Sequence, residues 1–105
     1  MNNQVDMRRI RREAVRWTVL QTLDAARPIG ANDQMMMSVL VEVQDNVTMH
    51  ELHRELDYLS DRKLVEVDKG ERLNQWRGKL TPQGIDVVEY TVDCPKGIAR
   101  PAKYW

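Results

Sequence analysis

The chain has 105 residues, enough for one domain with a single modest core. It is 42% hydrophobic and 30% charged, and 16 Lys and Arg balance 16 Asp and Glu, so no bulk positive excess marks it for nucleic acid. No apolar run approaches the roughly 20 residues of a membrane span, no apolar signal core follows the N-terminal arginines, and the lone Cys94 excludes an intramolecular disulfide or a cysteine zinc site, so cytoplasmic residence is expected.

Charge is uneven along the chain. Residues 1–27 carry six arginines against Asp6, Glu13 and Asp24. Residues 28–68 carry nine acids against three bases. Residues 69–80 carry Lys69, Arg72, Arg77 and Lys79 against Glu71 alone. A balanced chain can still present a basic face, so the distribution bears on function more than the total.

Residues 5–26 are predicted to form the first helix. Ile10, Ala14, Trp17, Leu20 and Leu23 recur at helical spacing, and Val15 and Val19 widen the apolar side. Pro28 ends it. Arg8, Arg9, Arg11, Arg12 and Arg16 fill the rest of the first three turns. Arginines at a helix N-terminus oppose the dipole, which makes them candidate accessory contacts to phosphate or to a partner's carboxylates. A solvated helix face is the plain alternative.

Pro28 to Ala31 form a connector in which Ile29 is a candidate for a small third strand. Asn32 is a predicted N-cap, with Asp33 in the first turn of a helix over about 32–44. Met35, Met36, Met37, Val39, Leu40, Val41 and Val43 make that helix apolar on more than one face. It is either wrapped by other elements or presents a patch to a second subunit.

Asp45-Asn46-Val47 gives the three-residue turn of a helix-turn-helix. Thr48 and Glu51 form a capping box, with Val47 and Leu52 as a hydrophobic staple. Met49, Leu52, Leu56 and Leu59 cluster on the core side of the third helix. His50, His53, Arg54, Asp57 and Asp61 cluster opposite, and Tyr58 lies on the flank. The N-terminal half of a groove-reading helix meets base edges. Thr48, His50, His53 and Arg54 are therefore the candidate DNA contacts, with Arg54 suited to guanine. Asp57 and Asp61 on the same face would repel phosphate.

Leu64 to Asp68 alternate as a strand. Lys69 to Asn74 form a polar loop, and Gln75 to Leu80 return, with Trp76, Gly78 and Leu80 inward and Arg77 and Lys79 outward. On this hairpin Lys69, Arg72, Arg77 and Lys79 are candidate phosphate contacts. Thr81 caps a short closing helix that Pro82 opens, with Ile85, Val88 and Tyr90 packing back on the core. The domain is expected to span 1–91. Residues 92–105, with two prolines and no periodicity, are expected to be extended or mobile. There Lys96, Arg100 and Lys103 are further candidate phosphate contacts, and Tyr104 and Trp105 are candidate latches.

Other chemistry is weakly signalled. His50, His53 and Asp57 fall at i, i+3 and i+7, but HELHR places Arg54 where HExxH needs its second histidine, so no metal is expected. Cys94 has no histidine nearby in sequence, and no glycine-rich phosphate loop is present. The expectation is a protein that is not an enzyme and has no cofactor.

The succession from Leu52, Leu56 and Leu59 through Leu64-Val65, a polar loop and the Leu80-Thr81-Pro82-Gln83-Gly84 corner resembles the PadR, MarR and ArsR class of winged-helix proteins. More narrowly, the chain resembles a family of small proteins from Mu-like phages and prophages. That family pairs a basic first helix with the same corner and a basic tail, here Pro95-Lys96-Gly97-Ile98-Ala99-Arg100-Pro101. The resemblance implies an α+β, mostly α, winged helix-turn-helix: three helices, a β-hairpin wing, a short C-terminal helix and an extended tail. It implies a bacterial host cytoplasm and a phage setting more than a mechanism. Lacking the long C-terminal helix of PadR-like or MarR-like dimers, this chain would have to dimerise through helix one, helix two or the tail.

The leading expectation is a DNA-binding protein, a transcriptional regulator or DNA-associated accessory factor, with double-stranded DNA as its partner. The alternative is a protein-interaction winged helix in phage packaging or morphogenesis, binding a phage or host protein. Zero net charge, the acidic middle segment and the apolar second helix favour that alternative.

Overall fold

The computed structural model describes residues 6–70 and 75–103. It is an α+β fold of helices α1 (Met7–Ala25), α2 (Asp33–Val43), α3 (Met49–Asp61) and α4 (Pro82–Val88) with a three-stranded antiparallel sheet. Strands β1 (Ala31–Asn32), β2 (Val65–Asp68) and β3 (Arg77–Leu80) lie in the order β1-β3-β2. Among the described residues no helix is long and apolar enough to cross a membrane.

The caps explain the helix boundaries. Asp6 accepts the Arg9 N–H at 3.2 Å and starts α1; the residue before it, expected as the helix start, lies outside the described residues. Asn32 accepts the Met35 N–H at 2.8 Å, and Thr48 accepts the Glu51 N–H at 3.1 Å. Each satisfies a donor that the first helical turn leaves unpaired. Helix α3 ends with Lys63 at φ 64° and the Leu64 N–H donating back to the Leu59 carbonyl at 3.0 Å, a left-handed stop of the kind that closes helices.

The small strand differs from expectation by two residues. Ile29 is exposed on the turn after the cis Arg27–Pro28 peptide, and the pairing residues are Ala31 and Asn32, opposite Gly78 and Arg77. Gly30 explains the shift. Its φ of +88° suits glycine, and a Cβ there would collide with the Gly78 carbonyl, so the chain can come alongside β3 only from this point.

Leucines and valines from every layer meet in one core. Val15, Val19, Leu20 and Leu23 of α1 pack with Met36 and Leu40 of α2, with Leu52, Leu56 and Leu59 of α3, and with Val65 and Leu80 of the sheet. Each such side chain contributes roughly 1.5–3 kcal/mol by leaving water. Ile10, expected on the apolar side of α1, is exposed instead.

The corner before α4 is a backbone junction. Thr81 Oγ1 accepts the Gly84 N–H at 3.0 Å and donates to the Lys63 carbonyl at 2.7 Å. The Thr81 N–H donates to the Leu64 carbonyl at 3.1 Å. Gly84 then lies against that same carbonyl with no room for a Cβ.

The segment after α4 has no regular secondary structure, but it is tied down rather than free-running. Ile98 is buried in the core, and the Ala99 N–H donates to the Glu13 carbonyl at 3.1 Å. Tyr90 donates its hydroxyl to the Pro101 carbonyl at 2.9 Å. Tyr104 and Trp105, expected as latches, lie outside the described residues.

Gly84→Ala forces α4 away from the α3–β2 link. We expect a loss of about 2 kcal/mol, as for other overpacked sites, read as a lower urea midpoint at unchanged m-value.

Candidate nucleic-acid interface

The arginines of α1 divide into those engaged inside the fold and those left at its surface. Arg16, expected as a phosphate contact, is buried. Its Nε donates to Glu55 Oε1 at 2.8 Å and its Nη1 to the Gly97 carbonyl at 2.9 Å. Its guanidinium lies 3.4 Å from the centre of the Tyr58 ring. With Arg16 8% exposed and Glu55 1% exposed, neither reaches solvent as a binding group. Arg11 is also committed: Nε and Nη2 grip Glu51 at 2.7 and 2.9 Å. Arg9 is exposed and approaches Glu13 at 3.6 Å along the helix.

Arg8 and Arg12 remain, and they meet the start of α3. Arg8, Arg11, Arg12, Thr48, His50, Glu51 and Arg54 line an open cleft of about 510 Å³. Four arginines face one carboxylate there, and the N-terminal end of α3 adds its positive dipole. Hydrogen bonding from Arg11 holds the Glu51 carboxyl below the usual carboxylate range, against the opposing effect of burial. Glu51 is therefore an anion already paired with Arg11, and a surplus of positive charge is left facing the cleft.

Three of the four expected helix contacts, Thr48, His50 and Arg54, line this cleft; His53 does not. His53 Nε2 lies 2.9 Å from Asp33 Oδ2, and its ring stacks on Trp76 with centroids 4.0 Å apart and planes within 3°. The same Asp33 oxygen accepts the Trp76 N–H at 3.0 Å, while the Asp33 N–H donates to the Trp76 carbonyl at 2.8 Å. Asp33, expected only as a favourable first-turn charge, is 2% exposed and joins α2, α3 and the base of the hairpin. Burial alone would raise its carboxyl pKa. The bonds from His53 and the Trp76 N–H outweigh that, and the group lies below its ordinary value. His53 is thus corrected from an exposed base reader to part of this junction.

Two of the four hairpin bases, Arg77 and Lys79, point outward and are more compensated than the sequence suggests. Arg77 and Lys79 are exposed on the outer face of β3. The register sets Arg77 opposite Asp68 and Lys79 opposite Glu66, and opposite charges directly across a ladder attract. Lys69 is exposed but partnered, 3.2 Å from Asp57 and 4.7 Å from the centre of the Trp76 ring. Arg72, the fourth expected hairpin contact, lies outside the described residues. In the tail Arg100 is not free to follow a phosphate backbone. Its Nη1 donates to the Val87 and Val92 carbonyls, both at 2.9 Å, and its guanidinium lies 4.2 Å from the Tyr90 ring centre. Lys96 and Lys103 are exposed. Cys94 is half-buried, and burial pushes its thiol pKa up.

Arg16→Ala leaves Glu55 buried without its partner and should cost about 3–5 kcal/mol, whereas Arg8→Ala on the surface should stay within about 0.5 kcal/mol. Chemical denaturation of the two variants checks the contrast. Acid lability follows from Asp33 and Glu51, whose carboxyls are depressed in the fold. Their stabilisation is fully present above the ordinary carboxylate pKa of about 4 and is lost as pH falls below it. Urea midpoints between neutral and acid pH should fall through that window, and Asp33→Asn should shrink the fall.

No protein-family model, curated protein or solved structure matches this chain.

Proposed function

We propose that the chain is a winged helix-turn-helix protein that binds duplex DNA, as a transcriptional regulator or DNA-associated accessory factor in a phage or prophage setting. The observation that carries this reading is the cleft where Arg8, Arg11 and Arg12 of α1 converge with Thr48, His50 and Arg54 at the start of α3. A phosphodiester backbone is the polyanion that such a surface suits, and sequence-independent attraction to phosphate supplies most of the affinity in complexes of this kind.

In this reading the first two turns of α3 enter the major groove. Arg54 addresses a base edge, while Arg8 and Arg12 hold the flanking phosphates. Arg77 and Lys79 on the hairpin touch a second stretch of backbone. Their cross-strand acids make that contact the weaker one.

A second reading, a protein-interaction module in packaging or morphogenesis, is favoured by one feature. Met35, Val39 and Val43 are exposed along one side of α2, with Val41 exposed on the other flank. Such a stripe also suits self-association, and the sedimentation mass of the wild type beside a Val39→Glu variant tests for it.

Titration of a labelled duplex over a salt series tests the DNA reading. With about four phosphates neutralised, the logarithm of affinity should fall against the logarithm of salt with a slope near −3.6. Arg8→Ala and Arg12→Ala should each flatten that slope by about 0.9. Absence of duplex binding at low salt would falsify the proposal.

A further inference from the structure

Glu55 is 1% exposed, and only one of its carboxylate oxygens is satisfied. Oε1 takes the Arg16 Nε–H at 2.8 Å, while Oε2 is buried with no hydrogen bond among the described residues. A buried carboxylate oxygen without a donor is strongly unfavourable. A cation stands close by. Arg54 Nε lies 3.7 Å from Oε2, just beyond hydrogen-bond length, and the Arg54 side chain is 59% exposed where it lines the cleft.

We propose that Glu55 is the positioning residue for Arg54, and that it fixes which edge of that guanidinium faces the cleft. Arg54 shares the cleft with Arg8, Arg11 and Arg12, so like charges push its head away. Glu51 attracts the Arg54 charge but is gripped by Arg11. The free oxygen of Glu55 is the unmet acceptor that holds Arg54 in place. Engagement through Nε leaves the two terminal nitrogens outward, and these form the fork that matches the N7 and O6 acceptors of guanine. One buried carboxylate thus serves two arginines, Arg16 inside the fold and Arg54 at its surface. The inference rests on the DNA-binding reading for its consequence, though not for the pairing itself.

The test uses the full chain and two fluorescent duplexes of about 20 base pairs, one containing guanine and the other 7-deazaguanine. They share one phosphate backbone and differ in the N7 acceptor. The wild type should prefer the guanine duplex by about tenfold, at the low end for a bidentate base contact because 7-deazaguanine keeps O6. Glu55→Gln should bring that ratio close to one, with affinity for the 7-deazaguanine duplex held within about threefold. Glu55→Gln should add nothing in an Arg54→Ala background, the mark of two residues acting as a unit. Arg54→Met lies at an exposed position, keeps most of the side chain's length and loses every donor. It should erase the preference equally, which separates the effect from any loss of fold in Glu55→Gln. Additive effects of the two substitutions, or a Glu55→Gln protein that keeps the preference, overturn the proposal. A second readout needs no DNA. The Arg54 Nε–H resonance of the free protein should exchange about tenfold more slowly than that of Arg8, and should lose that protection in Glu55→Gln. Exchange as fast as Arg8 in the wild type overturns the pairing. Failure of the wild type to bind either duplex at about 50 mM salt overturns the DNA reading instead, and the resonance then decides the pairing alone.

Discussion

A buried arginine and a buried glutamate in a small domain constrain the elements packed around them. Buried charges are tolerated only when paired and hydrogen-bonded. Arg16 meets that condition by reaching three places at once: Glu55 on α3, the Gly97 carbonyl in the tail and the face of Tyr58. Hydrophobic contact is non-directional and would let α1 slide along α3. A guanidinium fork has a fixed geometry, so this pair sets the register of α1 on α3. The same contact explains why a segment without periodicity is held against the body. Gly97, at φ +96°, lies where a side chain would strike the Tyr58 hydroxyl, so the tail crosses closely enough for Arg16 to reach its carbonyl.

Internal pairing also reconciles a net charge of zero with a basic surface. Arg11 with Glu51, Arg16 with Glu55, Arg27 with Asp24 and Glu89, and Lys69 with Asp57 cancel one another within or along the fold. The outer face of the sheet alternates sign across its ladder. What matters for a polyanion is the set of cations these pairings leave over and whether they converge. Arg8, Arg12 and Arg54 do converge, beside the positive end of a helix.

Much of this was legible in the sequence wherever local chemistry decides the outcome. Three of the four side-chain caps, at Asn32, Thr48 and Thr81, follow from residue type and spacing, as does the alternation that points Arg77 and Lys79 outward. The buried charges were harder, because a charged residue is read as surface by default. The signal was nevertheless present. At about 100° per residue, Arg16 falls inside the arc spanned by Val15, Val19, Leu20, Leu23 and Trp17. Asp33 falls between Leu40 and Met37 by the same measure, and His53 lies about 40° from Met49, at the edge of the core side. Helical position outranks residue type at these sites. What the sequence could not supply is the pairing across elements, such as Asp33 with Trp76, since those partners are 43 positions apart and meet only in the folded chain.

The junction of Asp33, His53 and Trp76 changes how α3 can present itself. The base of the hairpin lies against the middle of that helix, with the Trp76 ring on His53 and Lys69 on Asp57. The acid that would repel phosphate at mid-helix is therefore already matched. Asp61 stays exposed at the last residue of α3. At about 1.5 Å per residue, that places it roughly 20 Å along the axis from Thr48. The helix is consequently polarised, with cations and the positive dipole end at its start, a paired acid at its middle and an exposed acid at its finish. A helix of that kind favours approaching a polyanion by its N-terminal end over lying along a groove at full length. End-on approach brings Thr48, His50 and Arg54 forward together with Arg8 and Arg12, the same side chains that the internal pairings leave at the surface.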